Sequence, residues 1–393
     1  MERRDFLKTA GASIAAGATA AVLPQAFAQQ APAAPAAPAA GAAAPAAPAG
    51  APAVVSSQPV IKWRLASSFP KSLDTIYGGG EVLAKRIAEI TDGRFEIRVF
   101  AGGELVPAFG VLDAVQQNTV ECCHTASYYF HGKNKAISLD CNIPFGLGNR
   151  QMNSWFAYGG GREVLREMFA AYNVVNFQGG NTGTQMGGWF RKELKSLEDV
   201  KGLKMRIPGF GAEIFSRLGA VPQSLPGGEI YPALERGAID AAEWTVPYDD
   251  EKLGFYKVAK FYYYPGWWEP GPTLSFYVNK GQWESLPRAY QAAFEAAAAE
   301  ANVNMMAAYD AKNPPALQRL VQNGAELRRY PDDVLKAAYE TAQKIYEEES
   351  AANPVFKKVY ESLKAFQQPS DLWMGSAEGT LANFMQAVRR AKR

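Results

Sequence analysis

The chain has 393 residues, with 41 Lys and Arg against 39 Asp and Glu and a formal net charge of +2. That balance lacks the basic excess that nucleic-acid or anionic-membrane partners select for. Two histidines and three cysteines without a Cys-x-x-Cys spacing argue against a zinc or haem site.

The N-terminus reads as an export signal. Arg3-Arg4-Asp5-Phe6-Leu7-Lys8 precedes an alanine-rich apolar run from Ala10 to Leu23, and Ala26-Phe27-Ala28 supplies a small-x-small cleavage pattern. The twin arginine followed by Phe-Leu-Lys is the pattern of the Tat exporter, which carries folded proteins. The run is shorter than the ~20 residues of a bilayer span. Residues 1–28 are therefore expected to be a Tat signal peptide, with a protein soluble in the periplasm after its removal. Residues 29–57 are rich in Ala, Pro and Gly. Proline removes donors and alanine offers little area to bury, so this segment reads as a disordered linker. The remainder is long for a single core, and two lobes are expected.

From Ile61 to Ala66 the residues alternate as in a strand, and a helix is expected over 75–91, with Val82, Leu83, Ile87 and Ile90 on one face. A second strand spans Phe95–Phe100, a helix starts at Val111, and a third strand covers Val120–Ala126. This β-α-β-α-β opening predicts an α/β fold with a parallel-type sheet. Cys122 and Cys123, adjacent on a strand, point to opposite faces. Cys141 could therefore pair with only one of them; three buried free thiols are the favoured alternative. His124 and His131 read as structural hydrogen-bonding residues.

A second β/α set follows. Strands are expected at Val174–Phe177, Leu203–Ile207, Val221–Leu225 and from Ala241, with helices at Gly211–Leu218 and Glu229–Arg236. Crossings between lobes are placed near 178–185 and 243–247. Lobe I is assigned residues 58–153 with 244–280, and lobe II residues 154–243 with 281–330. The last third is helical: Arg288–Lys312, with Pro314-Pro315 just beyond its end, then 331–349 and 354–367. Residues 331–393 are C-terminal helices and a candidate dimer contact.

In open α/β sheets ligands bind beyond the C-terminal strand ends. Arg206 ends its strand just before Pro208-Gly209, and a guanidinium fork suits a carboxylate; a surface or interlobe salt bridge is the competing reading. Glu243 falls at a crossing, where burial demands a counter-charge. A cation could supply it, with Gln185 and main-chain carbonyls as further oxygen ligands; so could an arginine. The run Tyr262-Tyr263-Tyr264-Pro265-Gly266-Trp267-Trp268-Glu269 is either packing or a pocket wall. The glycine clusters lack Walker or dinucleotide-binding spacing, and no Gly-x-Ser-x-Gly elbow or Ser-His-Asp set is present.

Several stretches in order resemble receptors of tripartite ATP-independent (TRAP) transporters. They are Gly180-Asn181-Thr182-Gly183-Thr184-Gln185-Met186-Gly187-Gly188-Trp189-Phe190, Leu197 to Gly209, Leu225-Pro226-Gly227-Gly228-Glu229-Ile230, Ala238 to Trp244 and Tyr264 to Gly271. The chain is most similar to the branch binding 2-oxo acids and related monocarboxylates. The resemblance implies a two-lobed periplasmic binding protein fold with an interlobe cleft and a helical C-terminal region. It also implies a receptor without catalytic turnover. In that reading Arg206 clamps the ligand carboxylate, Gln185 touches ligand and cation, Glu243 and the Trp244 main chain hold sodium or calcium, and Tyr128 and Glu269 line the pocket. Many relatives have His where this chain has Trp268. The implied partners are a small carboxylate and the membrane permease subunits, and the branch includes helix-swapped homodimers. A Tat-exported cofactor-dependent enzyme, or a ligand sensor for a membrane kinase, are the alternatives.

Overall fold

The computed structural model describes residues 58–391. The signal peptide and linker expected over residues 1–57 lie outside the described residues. Strand β1 (Ile61–Ser67) leads into helix α1 (Gly78–Ile90), β2 (Phe95–Phe100), α2 (Val111–Gln116) and β3 (Cys122–Thr125). The parallel registers Leu65↔Val99 and Leu65↔Cys122 put apolar side chains on shared faces. Three glycines open α1. A Cβ on Gly79 would stand 2.8 Å from the Met305 Cε and 3.1 Å from the Gly179 carbonyl oxygen, so bare backbone lets the helix sit close against its neighbours.

After two 3-10 turns, Ser127–Phe130 and Lys135–Asp140, come α3 (Asn149–Tyr158), α4 (Gly161–Ala170) and β4 (Val174–Asn181). The chain then runs through β5 (Trp189–Phe190), β6 (Lys204–Arg206), α5 (Gly209–Arg217), β7 (Val221–Gln223), α6 (Gly227–Glu235) and β8 (Ala241–Ala242). Next are α7 (Pro247–Leu253), β9 (Phe261–Tyr264), β10 (Thr273–Asn279), α8 (Lys280–Ser285) and α9 (Arg288–Gln322). The end comprises β11 (Glu326–Arg329), α10 (Asp332–Ala352), α11 (Pro354–Met374) and α12 (Thr380–Ala391).

The strands form two sheets, of order β2-β1-β3-β10-β4 and β11-β9-β5-β8-β6-β7. Each sheet is mixed. The opening strands β1, β2 and β3 pair in parallel as expected, and the antiparallel pairs come from later strands: β10 runs antiparallel to both β3 and β4, and β5 antiparallel to β8 and β9. The strand pairing also corrects the lobe boundaries. β4 lies in the first sheet, not the second lobe, because all seven residues of β10 pair along it. β9 lies in the second sheet, not in lobe I, because it pairs with β5 and β11.

Helix α9 continues through Pro314 and Pro315 instead of ending near Lys312. Each proline costs an intrahelical hydrogen bond, but the following turns are held by packing, with Ala316 and Leu320 buried. Its first part packs on α1 and β4, and it also packs on α7, so one helix spans both lobes. Helix α10 packs on α5, and α11 packs on α3, α4 and the 135–140 turn, so this hairpin also reaches both lobes. Cys122, Cys123 and Cys141 are buried free thiols, which settles the pairing question against a disulfide. Among the described residues no helix is long and apolar enough to cross a membrane.

Candidate functional site

Arg206 and Glu243 meet at the same end of adjacent strands. β6 and β8 are parallel with Arg206 opposite Ala242, so the next residue, Glu243, leaves the sheet beside Arg206. Pro208 and Gly209 (φ 62°) then turn the chain from β6 into α5. Arg206 is 1% exposed and Glu243 1% exposed. The Arg206 Nη1 donates to Glu243 Oε1 and to the Glu243 carbonyl oxygen at 3.1 Å, and Nε donates to the Leu225 carbonyl at 2.9 Å. The guanidinium also lies 5.1 Å from the Trp244 ring centroid. The indole in turn faces Gly227, where a Cβ would come within 2.6 Å of the ring. The Glu–Arg pair weighed from the sequence is thus present, within one sheet rather than across the lobes.

The crossing segment after β4 supplies Gln185. Its N–H donates to the Glu269 carbonyl at 3.2 Å, and its own carbonyl accepts from the Gly266 N–H at 2.8 Å. The loop between β9 and β10 therefore carries Glu269 to the same place. Tyr128 arrives from the 3-10 turn after β3, on the first lobe. Gly209 touches it from the second lobe: a Cβ there would be 2.9 Å from the Tyr128 Cβ.

Electrostatics tie the group together. Burial pushes the Glu243 carboxyl up to about 7, opposed chiefly by the Arg206 charge and reinforced by Asp250. Burial, then the Glu243 charge, pushes Glu269 well above the usual carboxylate range. Burial raises the Tyr128 hydroxyl, with Glu269 the next contributor. Tyr129 is raised by burial too, and it feels Arg206, Glu243 and Glu269.

Two sets of buried atoms here lack partners. The donors are Arg206 Nη2, Trp244 Nε1 and Trp268 Nε1; the acceptors are Gln185 Oε1, Glu243 Oε2 and Glu269 Oε2, although Trp268 approaches Glu243, Tyr128 approaches Glu269 and Tyr129 approaches Arg206 without closing a well-formed hydrogen bond to these atoms. Orphaned buried polar groups are costly. The donors suit a carboxylate and the oxygens suit a hard cation. Among the described residues no cluster of three or more His, Cys, Asp or Glu could hold a metal ion. A cation would therefore rest on the two carboxylates with amide and main-chain oxygens.

The cavity lined by Tyr128, Asn142, Phe210, Trp268 and Glu269 measures only about 10 Å³, roughly one water. Tyr129 and Asn142 were not among the sequence candidates. The Tyr128-Tyr129 doublet beyond a strand end was a readable signal for the first; nothing marked the second.

The chain matches the bacterial extracellular solute-binding protein family 7 over residues 66–353. It is 52% identical over 332 residues to a monocarboxylate 2-oxoacid-binding periplasmic protein of Nostoc sp., covering 84% of this chain and 91% of that protein. A TRAP transporter solute-binding protein from Bordetella bronchiseptica superposes with a TM-score of 0.84 at 51% identity, covering 85% of this chain and 100% of that one. That crystal structure is a mixed-occupancy dimer, with copurified calcium and picolinate in one active site and an apo site in the other. A TRAP solute-binding protein from Pseudoalteromonas atlantica, with bound sodium and pyruvate, superposes with a TM-score of 0.80 at 36% identity, covering 82% of this chain and 98% of that one.

Proposed function

The chain belongs to the bacterial extracellular solute-binding protein family 7, a family of TRAP transporter receptors rather than enzymes, and on that premise we propose that it binds a small 2-oxo or related monocarboxylic acid together with sodium or calcium. The observation that carries this is the unpartnered, buried Arg206 Nη2 beside three unpartnered buried oxygens. The pocket thus offers a guanidinium hydrogen bond beside hard oxygen ligands. Pyruvate and picolinate, the ligands of the two structural relatives, share a carboxylate with a lone-pair donor on the adjacent carbon. Such a molecule can sit on an arginine and chelate a cation at once.

Charge counting supports the cation. Arg206 faces two carboxyls, Glu243 and Glu269, and an acid ligand adds a third negative group. Three buried anions against one cation would be costly. Calcium balances all three in their ionised forms. Sodium balances the site when Glu269, raised well above its usual range by burial, keeps its proton. When bound, the ion supplies a counter-charge and ligand coordination; Gln185, Glu243, Glu269 and the Trp244 main chain are the groups that would hold it. Arg206 and Gln185 would orient the acid, with Tyr128, Trp244 and Trp268 as walls.

Periplasmic delivery of the acid to membrane permease subunits, after Tat export, completes the reading. A homodimer is part of it. Among the described residues α12 buries none, and Leu381 and Phe384 are exposed. A second copy would cover this face. Calorimetric titration with pyruvate, with and without calcium or sodium, tests the central claim. Heat of binding that needs Arg206 and strengthens with cation is expected; no binding of any monocarboxylate overturns it.

A further inference from the structure

A cluster of charged side chains joins the segment after β3 to helix α5 of the second sheet. Its centre is Glu213 on α5, which follows β6 of the second sheet. From the first lobe, Lys135 reaches the Glu213 carboxylate at 3.0 Å and His131 approaches it at 3.4 Å. Both belong to the segment between β3 and α3. Asp140 ties that segment to the first sheet by accepting from Ser275, Tyr277 and Asn176 at 2.7, 2.6 and 2.9 Å. His131 is braced by Ser138 at 3.0 Å and lies edge-on to Phe210, with 4.6 Å between ring centroids. Arg217, on the Glu213 helix, donates to the same carboxylate at 2.9 Å. Helix α10 closes the cluster from outside: Glu348 meets Arg217 at 2.8 Å and Glu349 meets Lys135 at 3.3 Å.

We propose that Glu213 is an interlobe latch, a positioning residue that holds the cleft closed through Lys135 and His131 and thereby sets how long a bound acid is retained. The geometry gives the reason. Arg217 stays with Glu213 whether the lobes are open or shut, because both ride on α5. Lys135 and His131 ride on the other lobe, so opening must separate them from the carboxylate. That separation leaves a partly buried acid with one partner in place of three. Burial tends to raise the Glu213 carboxyl, yet His131, Lys135 and Arg217 hold it at about 2, so the charge is present at neutral pH. The carboxylate borders a groove of about 620 Å³ that also touches Tyr128 and Gly209. The latch therefore borders the groove between the two lobes, and the ligand-facing atoms need not change for it to alter affinity.

The test follows lobe separation directly. The three native cysteines are buried, so spin labels can be attached selectively at Lys85→Cys on α1 and Lys201→Cys beside β6, whose side chains are 79% and 64% exposed. Distance distributions are measured by pulsed electron resonance across a pyruvate and calcium titration, starting from none. Glu213→Gln is expected to lower the closed fraction at every sub-saturating concentration and to raise the Kd about tenfold, within the usual range of coupling between sites. Lys135→Met, on a partly exposed side chain, should act similarly. The double variant should be less than additive, because the Glu213–Lys135 contact is lost in both, while Glu213→Gln also weakens the His131 contact and Lys135→Met also loses Glu349. Identical distributions for parent and Glu213→Gln overturn the latch. The ligand arm rests on the carboxylate reading above, and the ligand-free arm does not. If no acid closes the lobes, the distribution without ligand decides: loss of a closed population in the variant supports the latch, and equality refutes it.

Discussion

The guanidinium of Arg206 donates to Glu243 through Nη1, while its equally buried Nη2 has no acceptor. One arm of the fork is spent inside the protein and the other is held ready. Arg206→Ala should therefore raise the Kd for pyruvate by two decades or more, since breaking a buried charged pair costs about 3–5 kcal/mol. Arg206→Lys should fare nearly as badly, because a single ammonium cannot serve both directions of the fork. Calorimetry checks both; an Arg206→Lys variant with parental affinity would remove the clamp assignment.

Glu243→Gln keeps the shape of the side chain and deletes its charge. The expected result is loss of the cation dependence, with ligand binding no longer strengthened by calcium. Thermal denaturation reads this. At a ligand concentration of 100 Kd, stabilisation should reach about 2.7 kcal/mol in the parent, and calcium should add to it only in the parent. A calcium response retained in full would place the ion elsewhere.

A second acidic residue governs stability rather than binding. Asp249, on α7, accepts from the Tyr309 hydroxyl of α9 at 2.7 Å, and burial pushes its carboxyl up to about 7. The folded protein thus holds this proton more tightly than the unfolded chain. That contribution is complete below the unfolded value near 3.9 and is lost as pH rises through about 7. Asp249→Asn cannot ionise and can still accept from Tyr309. Urea unfolding should show the variant gaining on the parent between about pH 4 and 7, with a slope of up to about 1.4 kcal/mol per pH unit. A difference that does not vary with pH would contradict it.

Removal of residues 380–393 should convert a dimer to a monomer. Leu381 and Phe384 are 62% and 63% exposed, and α12 buries none of its described residues, so little of the fold depends on it. Sedimentation velocity gives the mass, and an unchanged thermal midpoint would show that the lobes are intact. A truncated chain that stays dimeric would move the contact to another face.

Part of the candidate site was legible because strand ends are. Arg206 before Pro208-Gly209 sits where any α/β sheet offers its ligands a place, and Glu243, read only as lying at a crossing, reaches the same end because β8 stops at Ala242 and pairs with β6. The lobe boundaries were not legible. β10 is buried along its whole length and gave no alternating pattern, so the sequence could not say that it lies between β3 and β4. Nor could it show that α9 passes two prolines, because the packing that holds its last turns is tertiary. Glu213 is, in the sequence, one more charge on a short helix. Its partners come from two other parts of the chain, and no local spacing announces them.

The position of β10 also constrains how the molecule is made. Ser275 pairs with Thr125 on one side, and Leu274 with Gly180 on the other. Until that strand is synthesised, β3 and β4 have no common neighbour and the first sheet stays in two pieces. Neither lobe corresponds to a continuous stretch of chain, so neither should survive expression as a fragment cut at a single point. Such late, long-range pairing slows folding. A ribosome must release most of the sequence before the first lobe can exist at all.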